Sequence, residues 1–454
     1  MKIYSFPRGG FPYIDSSAPV KSSAVNAFLP ALSVIPLGNK NSKVTPVVSI
    51  GETVREGMLI GRAFSAGSVN IHATVPGRVI RKVTWKDKNN IDNDALVIKM
   101  EGAFEKLGKK EEVMLWNGLN GYDIQRIISD CGIIELENTE KPLAEMISAS
   151  RRDSERLTLV VRCVFDDPWL VSDYALCKER MSAVIEGAAI AAKACFKVEQ
   201  VIFAVSHLEK DLGEELLEGA AKINIPSSLV LTGSRYPQRK NRELEISLRA
   251  YEKKEELKLG SFLILSPSVL AAAYDAVVHK KPVLDRYVAV GGTAVKNPQI
   301  MRVRIGTRIG EVIQQCGGFA APPEKIVTGS PLSGNEVSYL DEPVGKTCYA
   351  IVAMSKSQAV IHSMQNCINC GECRTVCPVG LDPQHIYKRI KSGENVNSHI
   401  INCQGCGCCK IVCPSGLPLL ETILEEKILK QAALHSAKFP AQIKQRAGEE
   451  VRGA

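Results

Sequence analysis

The spacing of apolar and polar positions changes character along the chain. Over residues 1 to about 105, apolar residues come in short alternating runs divided by glycine. Val47-Val48-Ser49-Ile50-Gly51 leads into Thr53-Val54-Arg55-Glu56-Gly57-Met58-Leu59-Ile60, and Ile71-His72-Ala73-Thr74-Val75 runs through Pro76-Gly77 into Val79-Ile80. Period-two runs with glycine turns predict small hairpins in a sandwich. From about 115 to 285 the apolar runs are continuous and alternate with helical segments. Leu157–Val164, Val201–Val205, Leu229–Leu231 and Phe262–Leu265 read as strands, and Cys177–Cys195 reads as a helix with Met181, Ile185, Ala188 and Ala192 on its apolar face. Strands alternating with helices predict a mostly parallel, Rossmann-like sheet covered on both faces. Ligands of such sheets bind beyond the carboxyl ends of the strands.

From about 286 to 350 the pattern returns to β. Arg286–Gly291 and Met301–Ile305 are predicted strands, and Arg308–Gln315 is one short helix ending at Gly317-Gly318. This suits a small β-grasp module. From about 355 to 425 the chain is helical and cysteine-rich. After Leu417 a helix carries Leu420, Leu424 and Ile428 on one stripe, facing either the core or a partner. Residues 426–454 form a helical tail, polar and frayed beyond Pro440. The expected fold class is therefore multidomain, α/β and β.

Composition narrows the function classes. The 454 residues suit roughly three domains at about 150 residues each. No apolar stretch reaches the roughly 18–20 residues of a spanning helix; Ser261–Val278 comes nearest and is broken by Pro267 and Asp275. Met1-Lys2-Ile3-Tyr4 lacks the apolar centre of a signal peptide. The expectation is a soluble chain that meets a membrane only through partners. The net charge of +8 is mild, and its Lys and Arg residues are scattered, unlike those of nucleic-acid binders. The seven histidines are scattered too and form no i, i+4 pair.

The cysteines carry the chemistry. Nine of fifteen lie between Cys367 and Cys413. In a cytoplasmic chain such crowding argues for metal rather than disulfides. Cys367-Ile-Asn-Cys370-Gly-Glu-Cys373-Arg-Thr-Val-Cys377-Pro378 is C-x2-C-x2-C-x3-C-P, and Cys403-Gln-Gly-Cys406-Gly-Cys408-Cys409-Lys-Ile-Val-Cys413-Pro414 repeats it. This is the run of bacterial two-cluster ferredoxins, in which the fourth cysteine ligates the other cluster. Three closely spaced thiolates wrap one face of a cubane, and Gly371, Gly405 and Gly407 let backbone N–H groups approach its sulfides. Cys367, Cys370, Cys373 and Cys413 are assigned to one [4Fe–4S] cluster, and Cys403, Cys406, Cys409 and Cys377 to the other. Zinc sites usually have two separated pairs instead. Cys408 is surplus, because using it in place of Cys409 breaks both flanking spacings. Cys131, Cys163, Cys177, Cys195, Cys316 and Cys348 are dispersed and read as small buried hydrophobes. Two fully ligated cubanes relay single electrons and do little bond-making.

The hairpins before residue 105 resemble the lipoyl/biotinyl sandwich. The hairpin tip Ser65-Ala66-Gly67-Ser68 has no Lys to modify, so this is read as a scaffold. The order of sandwich, α/β domain, β-grasp and two-cluster ferredoxin resembles the RnfC family over nearly the whole chain. RnfC is the peripheral subunit of the Rnf ion-translocating ferredoxin:NAD oxidoreductase. Phe6-Pro7-Arg8-Gly9-Gly10-Phe11-Pro12 resembles that family's opening. Ile35-Pro36-Leu37, Pro46-Val47-Val48 and Gly51-Glu52-Thr53-Val54 resemble its sandwich core. Tyr236-Pro237-Gln238 matches a family tripeptide. Gly292–Pro298 and Arg304-Ile305-Gly306-Thr307 resemble its β-grasp segment, of the kind called soluble-ligand-binding.

The resemblance implies an electron-transfer subunit on the cytoplasmic face of a bacterial inner membrane. Its partners would be other Rnf-type membrane and iron–sulfur subunits and a soluble carrier such as ferredoxin or flavodoxin. It also implies FMN and NADH on an α/β domain like that of the complex I NADH subunit, and here the sequence departs. Where the family has a glycine-rich loop, this chain has Cys131-Gly132-Ile133-Ile134-Glu135-Leu136-Glu137-Asn138. Glycines bring backbone N–H groups to phosphate; carboxylates repel it. In the next segment Asp167, Pro168, Trp169 and Asp173 fit, but a Gly and a Glu are lost around Asp166. Arg239-Lys240-Asn241 replaces Gly-Gly-Glu, and of a later glycine pair only Gly260 remains. Asp166, Asp167 and Trp169 read as a retained structural corner, and FMN and NADH binding stays open. The expectation is a relay without an NADH site of its own. The alternatives are an NAD(P)H oxidoreductase with a diverged flavin pocket, cobalamin-reductase-like forms included, and a non-catalytic docking scaffold.

Overall fold

In the computed structural model the described residues are 2–39, 44–86, 92–102, 113–136, 140–153, 156–359, 364–396 and 398–431. Continuous apolar runs become the central parallel sheet. Its order is Ile3–Tyr4, Ser227–Thr232, Val198–Ser206, Leu157–Cys163, Ser261–Leu265, all parallel. Leu157–Cys163 is buried at every position because helices cover both faces. Val160, Ile202, Ala204 and Val230 face the Asn241–Lys254 helix side, while Leu159, Val161 and Phe203 face the larger core under Met181–Cys195 and Pro267–His279. The predicted helix Cys177–Cys195 is in fact two, Val171–Glu179 and Met181–Cys195. Arg180 between them leaves helical geometry and makes two hydrogen bonds to Asp275, at 2.7 and 2.9 Å.

A six-stranded mixed sheet follows the same logic with period two. Its members are Asn335–Glu336, Lys325–Thr328, Ala350–Met354, Asp285–Gly291, Gln299–Arg304 and Val25–Asn26. Tyr287 and Ala289 point into the α/β core, and Val288 and Val290 point into a second core under the Ile309–Gln315 helix. The sandwich has a four-stranded and a three-stranded sheet around Ile35, Val54, Ile60, Val75, Val79, Leu96 and Ile98. Its tip is pinned: the Gly67 N–H donates to Glu145 of the Leu143–Asp153 helix at 2.9 Å. Two short strands leave the sandwich region altogether. Ile3–Tyr4 closes one edge of the parallel sheet and Val25–Asn26 one edge of the mixed sheet. A two-residue strand carries no periodicity, so neither was visible in the sequence.

His72 sits where the sandwich meets the α/β domain. Burial, then the nearby Lys346 ammonium, pull its pKa down to about 4. Between about 4 and 6.5 the unfolded chain binds a proton that the folded chain refuses, so stability falls as pH drops through that window. His72→Gln should therefore gain stability relative to the parent as pH falls from 7 to 5, measured as the difference in denaturation midpoint. A constant difference would refute this.

Candidate metal centres

The two cysteine runs fold as two copies of one loop. Gly371 and Gly407 occupy equivalent places with φ +80°, each opening a four-residue helix, Glu372–Thr375 and Cys408–Ile411. Two residues earlier Asn369 and Gly405 match, at φ +61° and +63°. The Cys377 N–H reaches the Arg374 carbonyl at 3.3 Å, as the Cys413 N–H reaches that of Lys410. Gly380 and Gly416 then donate to the Cys377 and Cys413 carbonyls, both at 3.2 Å. These left-handed positions turn backbone N–H groups inward, and Leu381 donates to the Cys377 sulfur at 3.3 Å.

The Cys409 thiol is pushed up by burial and by its neighbours Cys406, Cys403, Cys377 and Cys373. The Cys373 thiol is pushed up by burial, with Asp382, Cys370 and Cys413 adding to it. Crowded buried thiols resist ionising together, and a bound cation removes that cost. Cys377, Cys403, Cys406, Cys408 and Cys409 line a small apolar pocket together with Leu381, Leu420 and Ile423. Among the described residues no three ligating side chains converge as a single ion would require. A cubane makes no such demand, because each thiolate binds a different iron. The donor set and the inward N–H groups fit two four-iron clusters.

The two sets differ in depth. Cys377, Cys403, Cys406 and Cys409 are all buried. Cys373 is buried, but Cys367 and Cys413 are half-buried and Cys370 is exposed, beside Ile368 and Met364 at 64% and 68% exposure. The inner set is sealed by segments from elsewhere in the chain. Gly9 lies on Cys377 so closely that a Cβ there would meet the Cys377 carbonyl at 2.6 Å, and the Gly10 N–H donates to the Val376 carbonyl at 2.9 Å. The Tyr236 hydroxyl donates to the Cys406 carbonyl at 2.6 Å. Sequence reasoning missed both contacts; the adjacent glycines at 9 and 10 were the only trace of the first. The terminal helix covers residues 419–431. It buries Leu420 and Ile423 and packs Leu424 against the cysteine loops, while Ile428 is 65% exposed.

Cys408 is fully buried in one cluster with Tyr236, Leu332, Val376 and Cys406. The adjacent Cys406 and burial push its thiol up. Its counterpart in the first loop is the exposed Glu372, which is no thiolate ligand. Cys408→Ala should leave the iron content of the reconstituted chain unchanged; a loss of four irons would make Cys408 a ligand. The six dispersed cysteines are all buried.

The carboxyl ends of the parallel strands are filled by charged side chains. Asp167 accepts from the Trp169 N–H at 3.1 Å, and Asp166 from the Arg239 N–H at 3.0 Å. Asp173 bonds Ser268. Arg162 donates to Asn241 at 2.8 Å and lies 3.9 Å from Glu135. Burial raises the pKa of Asp166 and Asp173, and that of Asp167 to about 6. Gly132 has φ +63°, and a Cβ there would strike the Asn70 carbonyl at 2.1 Å. Gly260 is likewise held against the Arg156 carbonyl. Glu137 and Asn138 lie outside the described residues.

Known proteins share these parts. The RnfC barrel sandwich hybrid domain matches residues 5–103, the SLBB domain 287–337 and the 4Fe-4S dicluster domain 359–415. The RnfC-type subunit of the Na(+)-translocating ferredoxin:NAD(+) oxidoreductase complex of Acetobacterium woodii is 27% identical over 79% of this chain and 81% of its own. The corresponding subunit of the ion-translocating oxidoreductase complex of Rhodobacter capsulatus is 26% identical, over 81% and 71%. That of the proton-translocating ferredoxin:NAD(+) oxidoreductase complex of Clostridium ljungdahlii is 26% identical, over 83% and 82%. Among solved structures, an NAD+-reducing [NiFe]-hydrogenase aligns over 67% of this chain and 60% of its own, with a TM-score of 0.48 at 13% identity, too loose a likeness to carry an argument. With that order of sandwich, SLBB and dicluster domains, and relatives of this kind matching over about four-fifths of its length, the chain is a homologue of the RnfC subunit.

Proposed function

We propose that this chain is the electron-transfer subunit of an Rnf-type membrane redox complex, holding one [4Fe–4S] cluster on Cys367, Cys370, Cys373 and Cys413 and another on Cys377, Cys403, Cys406 and Cys409. The observation that carries it is the duplicated loop, whose matched left-handed positions and gathered cysteines suit two clusters side by side. Each cluster, when bound, accepts or gives up one electron at a time. The chain's own residues insulate the inner set from water and leave the outer set at the surface, where a partner can approach. Among the described residues no helix is long and apolar enough to cross a membrane, in keeping with a peripheral subunit. We assign it to the cytoplasmic face, with Rnf-type subunits as partners and a soluble ferredoxin or flavodoxin as carrier.

We read residues 1–105 as the sandwich, 115–285 as a Rossmann-like domain of the complex I NADH-subunit kind, 286–350 as the β-grasp module, 355–425 as the ferredoxin domain and 426–454 as the tail. The buried charges at the sheet's carboxyl ends support a relay without its own NADH site. The test is an anaerobic titration of the reconstituted chain, followed by the thiolate-to-iron absorbance. The expected result is reversible bleaching by dithionite and none by NADH. Bleaching by NADH at catalytic rates would favour a working, diverged flavin pocket. Clusters that cannot be reduced and reoxidised would favour the scaffold reading.

A further inference from the structure

The outer cysteine set comes to the surface within an apolar patch. Cys370 is exposed, and so are Ile368 and Met364 on either side of Cys367. The stretch that carries Met364 is tied to the stretch after Cys413: the Gln365 N–H donates to the Ser415 carbonyl at 2.9 Å, and the Ser415 hydroxyl to the Asn366 carbonyl at 3.0 Å. Ile411, two residues before Cys413, is 51% exposed. Apolar side chains left exposed together mark an interaction site.

The Pro383–Lys391 helix braces this loop from one side. Gln384 and Lys388 both donate to the Asn369 side-chain oxygen, at 2.9 and 2.5 Å, and Asn369 immediately precedes Cys370. The last turn of the helix holds Lys388, Arg389 and Lys391, and the helix contains no carboxylate. Arg389 lies 3.3 Å from Glu394, and Arg374 lies 3.9 Å from Asp382. Lys388 meets a neutral amide, and Lys391 lies 5.7 Å above the Tyr387 ring. Among the described residues neither lysine forms an ion pair, so both charges stand uncompensated beside Cys370. Glu372 is the opposing charge on the cysteine loop itself, and it is exposed.

We propose that the Cys370 loop and the Lys388–Lys391 end of this helix form a docking face for a protein electron carrier with an acidic surface. The inference rests on the two-cluster reading above. An apolar centre with a charged rim is the anatomy of a protein interface, and redox encounters are among the smallest of them. The two lysines steer an acidic partner toward the exposed ligand and align it there. A second copy of this chain suits the face poorly, because a two-fold contact would set these lysines against themselves. One electron crosses in each encounter: the carrier is oxidised and the chain reduced by the same electron, or the reverse. No bond is made and no proton moves.

The test uses the full reconstituted chain, reduced with dithionite and freed of the excess. It is mixed rapidly with one of two one-electron acceptors, plastocyanin, which is acidic, or cytochrome c, which is basic. Iron is counted in every sample. Oxidation of the parent by plastocyanin should slow roughly tenfold between about 0.02 and about 0.5 M salt. At low salt, Lys388→Glu combined with Lys391→Glu should slow plastocyanin roughly tenfold and speed cytochrome c. Glu372→Lys should do the opposite. Lys253→Glu combined with Lys254→Glu makes the same change in net charge at the far end of the Asn241–Lys254 helix, and it should alter neither rate. Rates indifferent to the Lys388 and Lys391 changes, or equally sensitive to those at Lys253 and Lys254, overturn the proposal and leave the two-cluster reading intact. Binding to phosphatidylglycerol vesicles that the Lys388 and Lys391 changes abolish, with plastocyanin rates unmoved, gives the face to lipid and overturns it as well. A parent chain without reducible clusters overturns the two-cluster reading instead.

Discussion

Removing Cys377 together with Cys403 leaves one cluster, whereas removing Cys377 together with Cys413 leaves none. These are the largest effects expected, about four irons and about zero against about eight in the parent. Chain order alone would say otherwise, because Cys377 sits in the first loop and Cys403 and Cys413 both sit in the second. Cys377 shares an apolar cluster with Cys403, while Cys413 packs with Cys373 and Cys367 in a cluster that also holds Cys409. If each loop instead served its own cluster, Cys377 with Cys403 would abolish both. Iron and acid-labile sulfide in alanine double variants separate the two arrangements.

The second large effect comes from comparing the two copies of the loop. Gly371 and Gly407 share the same left-handed backbone, so alanine at either should cost roughly 1–2 kcal/mol of backbone strain. Their surroundings differ. A Cβ at Gly371 meets nothing within 4 Å, whereas one at Gly407 would lie 2.2 Å from the Leu332 carbonyl oxygen. That oxygen is backbone and cannot rotate away, so the loop must lift off, adding roughly 1–3 kcal/mol of overpacking. Gly371→Ala should keep both clusters with a modestly lower melting temperature. Gly407→Ala should melt at a clearly lower temperature and lose iron from the inner set first. Equal behaviour of the two variants would mean that the contact with Leu332 does not hold the inner loop in place.

The parts legible in the sequence are those with a local signature. Each of the four predicted α/β strands is a continuous apolar run, and each lies in the parallel sheet. The cysteine spacing located both loops, because the ligand geometry depends on residues within a dozen positions. What escaped depends on distant neighbours. Tyr236 and Cys406 are 170 residues apart, and no pattern around either announces the other. Asn369 adopts a left-handed conformation that nothing in its own loop signals; only Gly405 in the second copy does. The break at Arg180 falls in the charged run Lys178-Glu179-Arg180, and its partner Asp275 is 95 residues away. At the carboxyl ends of the sheet, the lost glycines were plain in the sequence. The way Glu135, Arg162 and Asp166 fill the space was not.

The most direct measurement is the iron and acid-labile sulfide content of the full chain after anaerobic reconstitution and removal of unbound iron. Two [4Fe–4S] clusters require about eight of each per chain. About four of each, or stoichiometric zinc that iron does not displace, would contradict the two-cluster relay.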